Sequence, residues 1–346
     1  MTKLENISQK IKKEISQRLV TGDMALPTEK ELCEKYSCSR QTIRKVLSDL
    51  KDENLISSRQ GSGYRLTGLN PDAGRNHICL LFTRPDEYIY PSLIYDIEKS
   101  ISSNADVPMS VSVFETRNDF YRERVILKEL LQNPPLAILA ECFSLMKNPN
   151  SDIYRNLEKK GCSVIFLYGA YRNMPGIPSV TEGTYDAAYS LVSSLHSSGC
   201  RRICGVFRNT NPQESAMLYG FLSALRDLDL PFDKEKYIIE GENNSDSDSD
   251  SASAILTLCK TSDAIIFGSD EYAYPYVKHL RDLKILNLSD KKVFSFDNSY
   301  LSQVNSFHLK SFSHPREPLA SAIAERILAI IKGQPKISIV LPYQLF

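Results

Sequence analysis

Between Leu26 and Thr67 the order of capping, apolar and glycine residues is compatible with one arrangement: two short helices followed by a hairpin. Thr28 stands three residues before Glu31, a pairing in which each side chain satisfies the other's backbone N–H, and a helix is expected from there through Tyr36. Ser37-Cys38 reads as a tight turn, after which Ser39 caps a second helix. Its apolar residues Ile43, Val46, Leu47 and Leu50 fall at i, i+3, i+4 and i+7, one buried face. The opposite face carries Arg40, Gln41, Arg44 and Lys45. Beyond Asn54 two extended runs, 55–59 and 64–66, flank Gly61 and Gly63, which can take positive φ in a hairpin turn. Helix–turn–helix plus hairpin is a winged helix. Forked and amide donors crowded at a helix N-terminus suit a major groove, where Arg pairs with guanine and Gln with adenine.

The runs L-P-T-E-x-E-L, S-R-Q-T-I-R-K-V-L-x-x-L and L-I-x-x-x-x-G-x-G resemble the GntR-type winged helix of bacterial transcription regulators, over about residues 4–67. That resemblance implies DNA contacts from Lys30, Arg40, Gln41, Thr42 and Arg44 on the helices, and from Gln60, Gly61 and Gly63 at the wing tip. Lys30 stands where many members carry Arg; a compact ammonium suits a phosphate better than a base edge. The alternative is that Arg40 and Arg44 belong to a merely solvated helix face.

At 346 residues the chain exceeds one DNA-binding domain, and two or three domains are expected. The formal net charge is zero, yet residues 1–68 hold 13 Lys and Arg against 9 Asp and Glu, so basicity is local to the winged helix. Eight cysteines are scattered without C-x-x-C pairs or a partnering histidine cluster, and read as reduced, mostly buried thiols. Cys200 and Cys204 could be imagined as a redox pair, but Cys204 lies in an apparent buried strand. The amino-terminal stretch has no apolar leader and no run is long enough to span a bilayer, so a cytoplasmic chain is expected. The five histidines are dispersed and no nucleophile–base constellation stands out; neither catalysis, a metal nor a cofactor is expected. An enzyme fused to the winged helix, of the aminotransferase-like kind, would need a Schiff-base lysine and more chain than follows residue 76.

Leu4, Ile7, Ile11, Ile15 and Leu19 form one stripe, an amphipathic helix packed under the winged helix. The polar stretch 69–76 reads as a linker, which divides the chain into a DNA-binding domain over 1–68 and a second domain over 77–346. There, short apolar runs at 78–83, 109–114, 136–141, 164–168, 203–207, 237–240, 264–267 and 293–296 alternate with helix-length amphipathic segments. This argues an α/β fold of parallel sheets covered on both faces, arranged as two doubly wound lobes split at about residue 175, with a ligand cleft at the strand C-termini. The acidic run 242–253 reads as a surface loop rather than a calcium site, and 337–341 as a final strand with no coiled-coil heptads beyond it.

The element order after residue 77 resembles the LacI/GalR-type effector domain, itself similar to periplasmic sugar-binding proteins. Points of likeness are the 88–98 segment, Asn156–Gly161, Gly220-Phe221, Ser269-Asp270-Glu271, Phe296-Asp297-Asn298 and His314-Pro315. A GntR-type winged helix joined to such a domain is the layout of the arabinose-responsive repressors of Gram-positive bacteria. The resemblance implies a repressor of carbohydrate-utilisation genes that binds a sugar-like effector and, as a homodimer, double-stranded operator DNA. In that family an Arg three residues before the Gly-Phe pair clamps the ligand; here Met217 stands there, and the usual paired aspartates are missing from Val180–Tyr185. Positions that fit effector binding are Tyr88, Tyr90, Glu141, Arg208, Asp270 and Asp297. Alternatively Asp270 and Asp297 cap helices, the tyrosines fill a dimer interface, and the chain is a constitutive DNA-binding dimer.

Overall fold

The computed structural model describes residues 7–8, 10–11, 14–15, 26–52, 56–59, 63–66, 76–231, 237–240, 255, 257–258, 261–282, 292–303, 309–313 and 315–343. Gln60, Gly61, Leu4, Leu19, His314, linker residues 69–75 and the acidic run 242–253 lie outside the described residues. The chain forms two compact units, Met1–Pro85 with Ala105–Ala140 and Asn148–Val164, and Asp86–Asn104 with Glu141–Lys147 and Ile165–Phe346.

The first unit contains the winged helix. Helix α1 (Glu29–Tyr36) opens with the expected reciprocal cap: Glu31 N–H donates to Thr28 Oγ1 at 3.4 Å while Thr28 N–H donates to Glu31 Oε2 at 2.7 Å. Ser37 ends the helix at φ 47°. Helix α2 (Arg40–Asp52) starts with Thr42 N–H donating to Ser39 Oγ at 3.2 Å. Strands β1 (Ile56–Arg59) and β2 (Gly63–Leu66) pair antiparallel, with Arg59 opposite Gly63. Ile43, Val46, Leu47 and Leu50 are wholly buried, in one core with Leu32, Ile56 and the helical residues Ile7, Ile11 and Ile15. At about 1.5–3 kcal/mol per buried large aliphatic side chain, this cluster is what holds so short a domain together. Glu14 ties the amino-terminal helical residues to α1, accepting from Tyr36 Oη at 2.7 Å and pairing with Lys35 Nζ at 2.8 Å.

The same unit carries β3 (His77–Phe82), β4 (Ser110–Glu115), α4 (Phe120–Leu130), β5 (Ala137–Glu141) up to Ala140, and α5 (Ser151–Lys159); α3 (Tyr90–Asn104) belongs to the second unit. All six residues of β3 are buried, as a central parallel strand requires, and it pairs in parallel with both β4 and β5. Behind the sheet Glu123, 1% exposed, accepts from Asn148 Nδ2 at 3.0 Å, Asn150 Nδ2 at 2.7 Å and Tyr154 Oη at 2.7 Å. Burial pushes its carboxyl above the usual range against the pull of these donors.

The second unit continues with β6 (Ser163–Leu167), β7 (Ser179–Glu182), α6 (Thr184–Ser197), β8 (Ile203–Arg208) and α7 (Pro212–Asp227). After these come β9 (Tyr237–Glu240), β10 (Ala264–Phe267), α8 (Asp270–Asp282), β11 (Lys292–Asp297), β12 (Lys310–Ser313), α9 (Arg316–Ile331) and β13 (Ile339–Leu341). One sheet runs β13-β7-β6-β5-β3-β4 and another β12-β11-β10-β8-β9, with every described pairing in them parallel. Helices α6 and α7 pack so closely that a Cβ on Gly220 would lie 2.1 Å from the Tyr185 carbonyl oxygen, which excludes any side chain there.

The α/β class and the eight expected apolar strands are present, and the tail strand is β13. The even division at residue 175 is not. Strand β7 lies beyond that point yet belongs to the six-stranded sheet, and the chain returns to it when Ile339 pairs with Val180. β7 (SVTE) and β12 (KSFS) contain too many polar residues to register as continuous apolar runs. None of Cys33, Cys38, Cys79, Cys142, Cys162, Cys200 and Cys204 forms a disulfide, and Cys204 is buried in β8.

Candidate functional site

Two sites emerge. On the winged helix, Lys30, Arg40, Gln41 and Lys45 are exposed, and Arg40 is the first residue of α2. Burial of the i, i+3, i+4, i+7 stripe forces these side chains outward. Thr42 is half-buried, its hydroxyl 2.9 Å from Ser39 Oγ, so it serves the helix cap. Arg44 is held by Glu29: Nε donates to Oε2 at 3.0 Å, and Tyr64 Oη donates to Oε1 at 3.5 Å. Glu29 thereby joins α1, α2 and the wing strand, a role no local spacing announces. The Arg44–Glu29 pair is largely solvated, worth about 0.2–1 kcal/mol, so phosphate can displace it cheaply. Gly63 opens β2 opposite Arg59.

The second site lies in the second unit, at the C-terminal ends of its strands and the start of α3. Asp297, the last residue of β11, accepts from Tyr88 Oη at 2.8 Å on Oδ2 and from Tyr343 Oη at 2.9 Å on Oδ1. Glu141, 7% exposed, accepts from Tyr90 Oη at 2.8 Å. Burial and the neighbouring Asp297 carboxylate push the Tyr88 and Tyr343 phenols well above the usual tyrosine range, so both are neutral O–H donors throughout the folded range. Backbone strain concentrates here: Tyr88 has φ 54°, Asp297 φ 97° and Asn298 φ 45°. Such conformations cost on the order of 1–3 kcal/mol each and collect at functional sites.

A cavity of about 510 Å³ opens beside this pair, lined among others by Tyr88, Asp297, Tyr300, Gln303, Arg316 and Glu317. Arg316 pairs with Asp96 of α3 at 2.7 Å. Asp270 is fully buried: Ser299 donates from N–H at 2.7 Å and Oγ at 2.8 Å, and Ser295 Oγ donates as well. Its carboxylate braces the turn after β11 and offers no oxygen to solvent; it caps no helix either. Arg208 stacks its guanidinium 3.7 Å over the Tyr272 ring, and Tyr272 Oη donates to Glu214 at 2.7 Å. Tyr88, Tyr90, Glu141 and Asp297 thus fall into two phenol–carboxylate pairs, while Arg208 belongs to a separate Tyr272–Glu214 group. Tyr343 was missed: it stands two residues beyond the tail strand, and 46 residues from the carboxylate it holds. Met217 is 5% exposed and packs with Phe207 and Phe221, a core side chain. No group of His, Cys, Asp and Glu suited to a metal occurs among the described residues.

A winged helix with an outward basic face, joined in one chain to a polar, pocketed α/β fold, defines a DNA-binding regulator with a sensing domain. Residues 3–66 match the family of bacterial regulatory proteins, gntR family, and residues 192–345 match the periplasmic binding protein-like domain. The chain therefore carries a gntR-family DNA-binding domain at its amino-terminal end and a periplasmic-binding-protein-like domain over its carboxy-terminal part. It is 26% identical to an arabinose metabolism transcriptional repressor of Halalkalibacterium halodurans, covering 97% of this chain and 91% of that one. In fold it is similar to a periplasmic binding protein/LacI transcriptional regulator from Alkaliphilus metalliredigens complexed with D-xylulofuranose, with TM-score 0.66 and 19% identity over 78% of this chain and 97% of that one. It is likewise similar to the cellobiose complex of the transcriptional regulator CelR, with TM-score 0.67 and 16% identity over 89% and 90% of the two chains. Among the described residues no helix is long and apolar enough to cross a membrane.

Proposed function

We propose that this regulator is a cytoplasmic homodimeric repressor of sugar-utilisation genes whose hold on a pseudo-palindromic operator is altered by a sugar. Residues 1–68 are the DNA-binding domain, 69–76 the linker, and 77–346 the domain that takes the effector and dimerises. Arg40, Gln41 and Arg44 reach base edges, Lys30 and Lys45 hold phosphate, Thr42 supports the helix N-terminus, and Gln60, Gly61 and Gly63 form the wing tip. Tyr88, Tyr90, Glu141 and Asp297 face the effector; Arg208 borders it, and Asp270 positions the Asp297 turn from behind. The single observation that carries this reading is the pairing of Tyr88 with Asp297 on the wall of a cavity, hydroxyl on carboxylate, the same bond a sugar hydroxyl would make.

The arabinose connection of the relative named above makes L-arabinose the first effector to try. Titrating the protein onto the promoter DNA beside its own gene, with and without L-arabinose, tests the proposal. A shift in affinity of about 5–150-fold is expected for an effector coupled by typical energies. A constitutive DNA-binding dimer is the second reading, favoured by the burial of Met217 in the core. A thermal-shift screen with pentoses, hexoses and disaccharides separates the two, because only a ligand selective for the folded state raises the melting temperature.

A further inference from the structure

The phenol–carboxylate clasp has two unequal halves. Tyr343, 9% exposed, is no part of the cavity lining, whereas Tyr88 is half-buried, lines the cavity and sits at φ 54° two residues before the start of α3. Asp297 itself is held at φ 97°, a conformation that a non-glycine residue keeps only when its surroundings enforce it. The acceptor therefore lies where an occupant could reach it, with one donor fixed and one donor on the cavity wall.

We infer that Tyr88 is a displaceable cover on Asp297: an uncharged polyhydroxyl ligand enters by substituting its own hydroxyl for the Tyr88 phenol on Oδ2, while Tyr343 stays on Oδ1 and aims the carboxylate. This rests on the effector-site proposal and adds how the site is gated and which ligands it admits. A neutral hydroxyl replaces a neutral hydroxyl, so the hydrogen bond is exchanged rather than lost. A phosphate or carboxylate in the same place would meet Asp297, with Glu317 also on the cavity wall and the wall's cation, Arg316, already paired with Asp96, and be repelled. The two tyrosines consequently have opposite effects on the ligand: Tyr88 competes with it and Tyr343 prepares its acceptor.

Calorimetry on the full chain tests this with L-arabinose, D-xylose, D-galactose and cellobiose, and with L-arabinose 5-phosphate as the anionic arm. Tyr88→Phe removes one oxygen and keeps the ring, and is expected to tighten the best neutral probe by about tenfold or to uncover binding that the parent lacks. Tyr343→Phe is expected to weaken the same probe, so a purely structural role, which would move both variants the same way, is distinguished. Equal or weaker binding by Tyr88→Phe, with the parent still binding, overturns the cover and spares the site. Tighter binding of the sugar phosphate than of its neutral parent overturns the ligand class. If no probe binds the parent or either variant, the effector site falls and the cover with it.

Discussion

Glu29 of the winged helix and two carboxylates of the α/β fold, Glu123 and Asp297, are held by different partners. Glu29 meets a guanidinium near the surface, while Glu123 is buried under side-chain amides and a phenol and Asp297 is clasped by two phenols. A cation on a carboxylate can be traded for a cation on a phosphate, and the trade is governed by salt. A neutral hydroxyl on a carboxylate can be traded for another hydroxyl with no change of charge. On the proposed function each region takes a different visitor, polyanion at one, polyol at the other.

The comparison can be broken hardest at Glu123. Glu123→Ala removes the buried acceptor that Asn148, Asn150 and Tyr154 share and should cost about 3 kcal/mol in a denaturation experiment. Its pH behaviour sharpens the point: because burial raises the folded carboxyl, the stability it contributes is complete below the ordinary glutamate range and is lost as pH rises through the folded value. Glu123→Gln should flatten that loss; an unchanged pH profile of the melting temperature would show that another group is responsible. On the winged helix, Arg40→Ala should remove roughly 1–3 kcal/mol of discrimination at one base position, and unchanged operator selectivity at fixed salt refutes the assignment. Thr28→Ala breaks the reciprocal cap and should destabilise α1 by about 1 kcal/mol, read by urea titration. The smallest effect belongs to Glu29→Gln, under about 1 kcal/mol and vanishing in molar salt; a change that persists there would mean Glu29 acts by shape and not charge.

The winged helix was legible because its signals are local. Thr28 reaches Glu31, Ser39 reaches Thr42, and the stripe from Ile43 to Leu50 repeats within two turns. Parallel strands with both faces covered announce themselves as apolar runs, which found β3, β5, β8 and β10. Strands β7 and β12 did not, since polar residues interrupt them. In the candidate effector site the sequence offers the residues one by one but not their company: Tyr88 stands 209 residues from Asp297, and nothing at either place encodes the other. Asp270 and Asp297 look alike in sequence, each an acid closing a strand region, yet one faces inward to serines and the other a cavity.

The return of the chain at Ile339–Leu341 sets an order of assembly. Val180 pairs with a partner 159 residues further along, so the edge of the six-stranded sheet cannot close before the last strand has been made, and pairings of such sequence separation are slow to form. Tyr343 arrives with that strand. During synthesis the winged helix, whose core and hydrogen bonds described above lie within residues 7–66, can be complete while Asp297 still lacks its second phenol, and a chain stopped before Ile339 would present a reading head attached to a sensor that never received its last bolt.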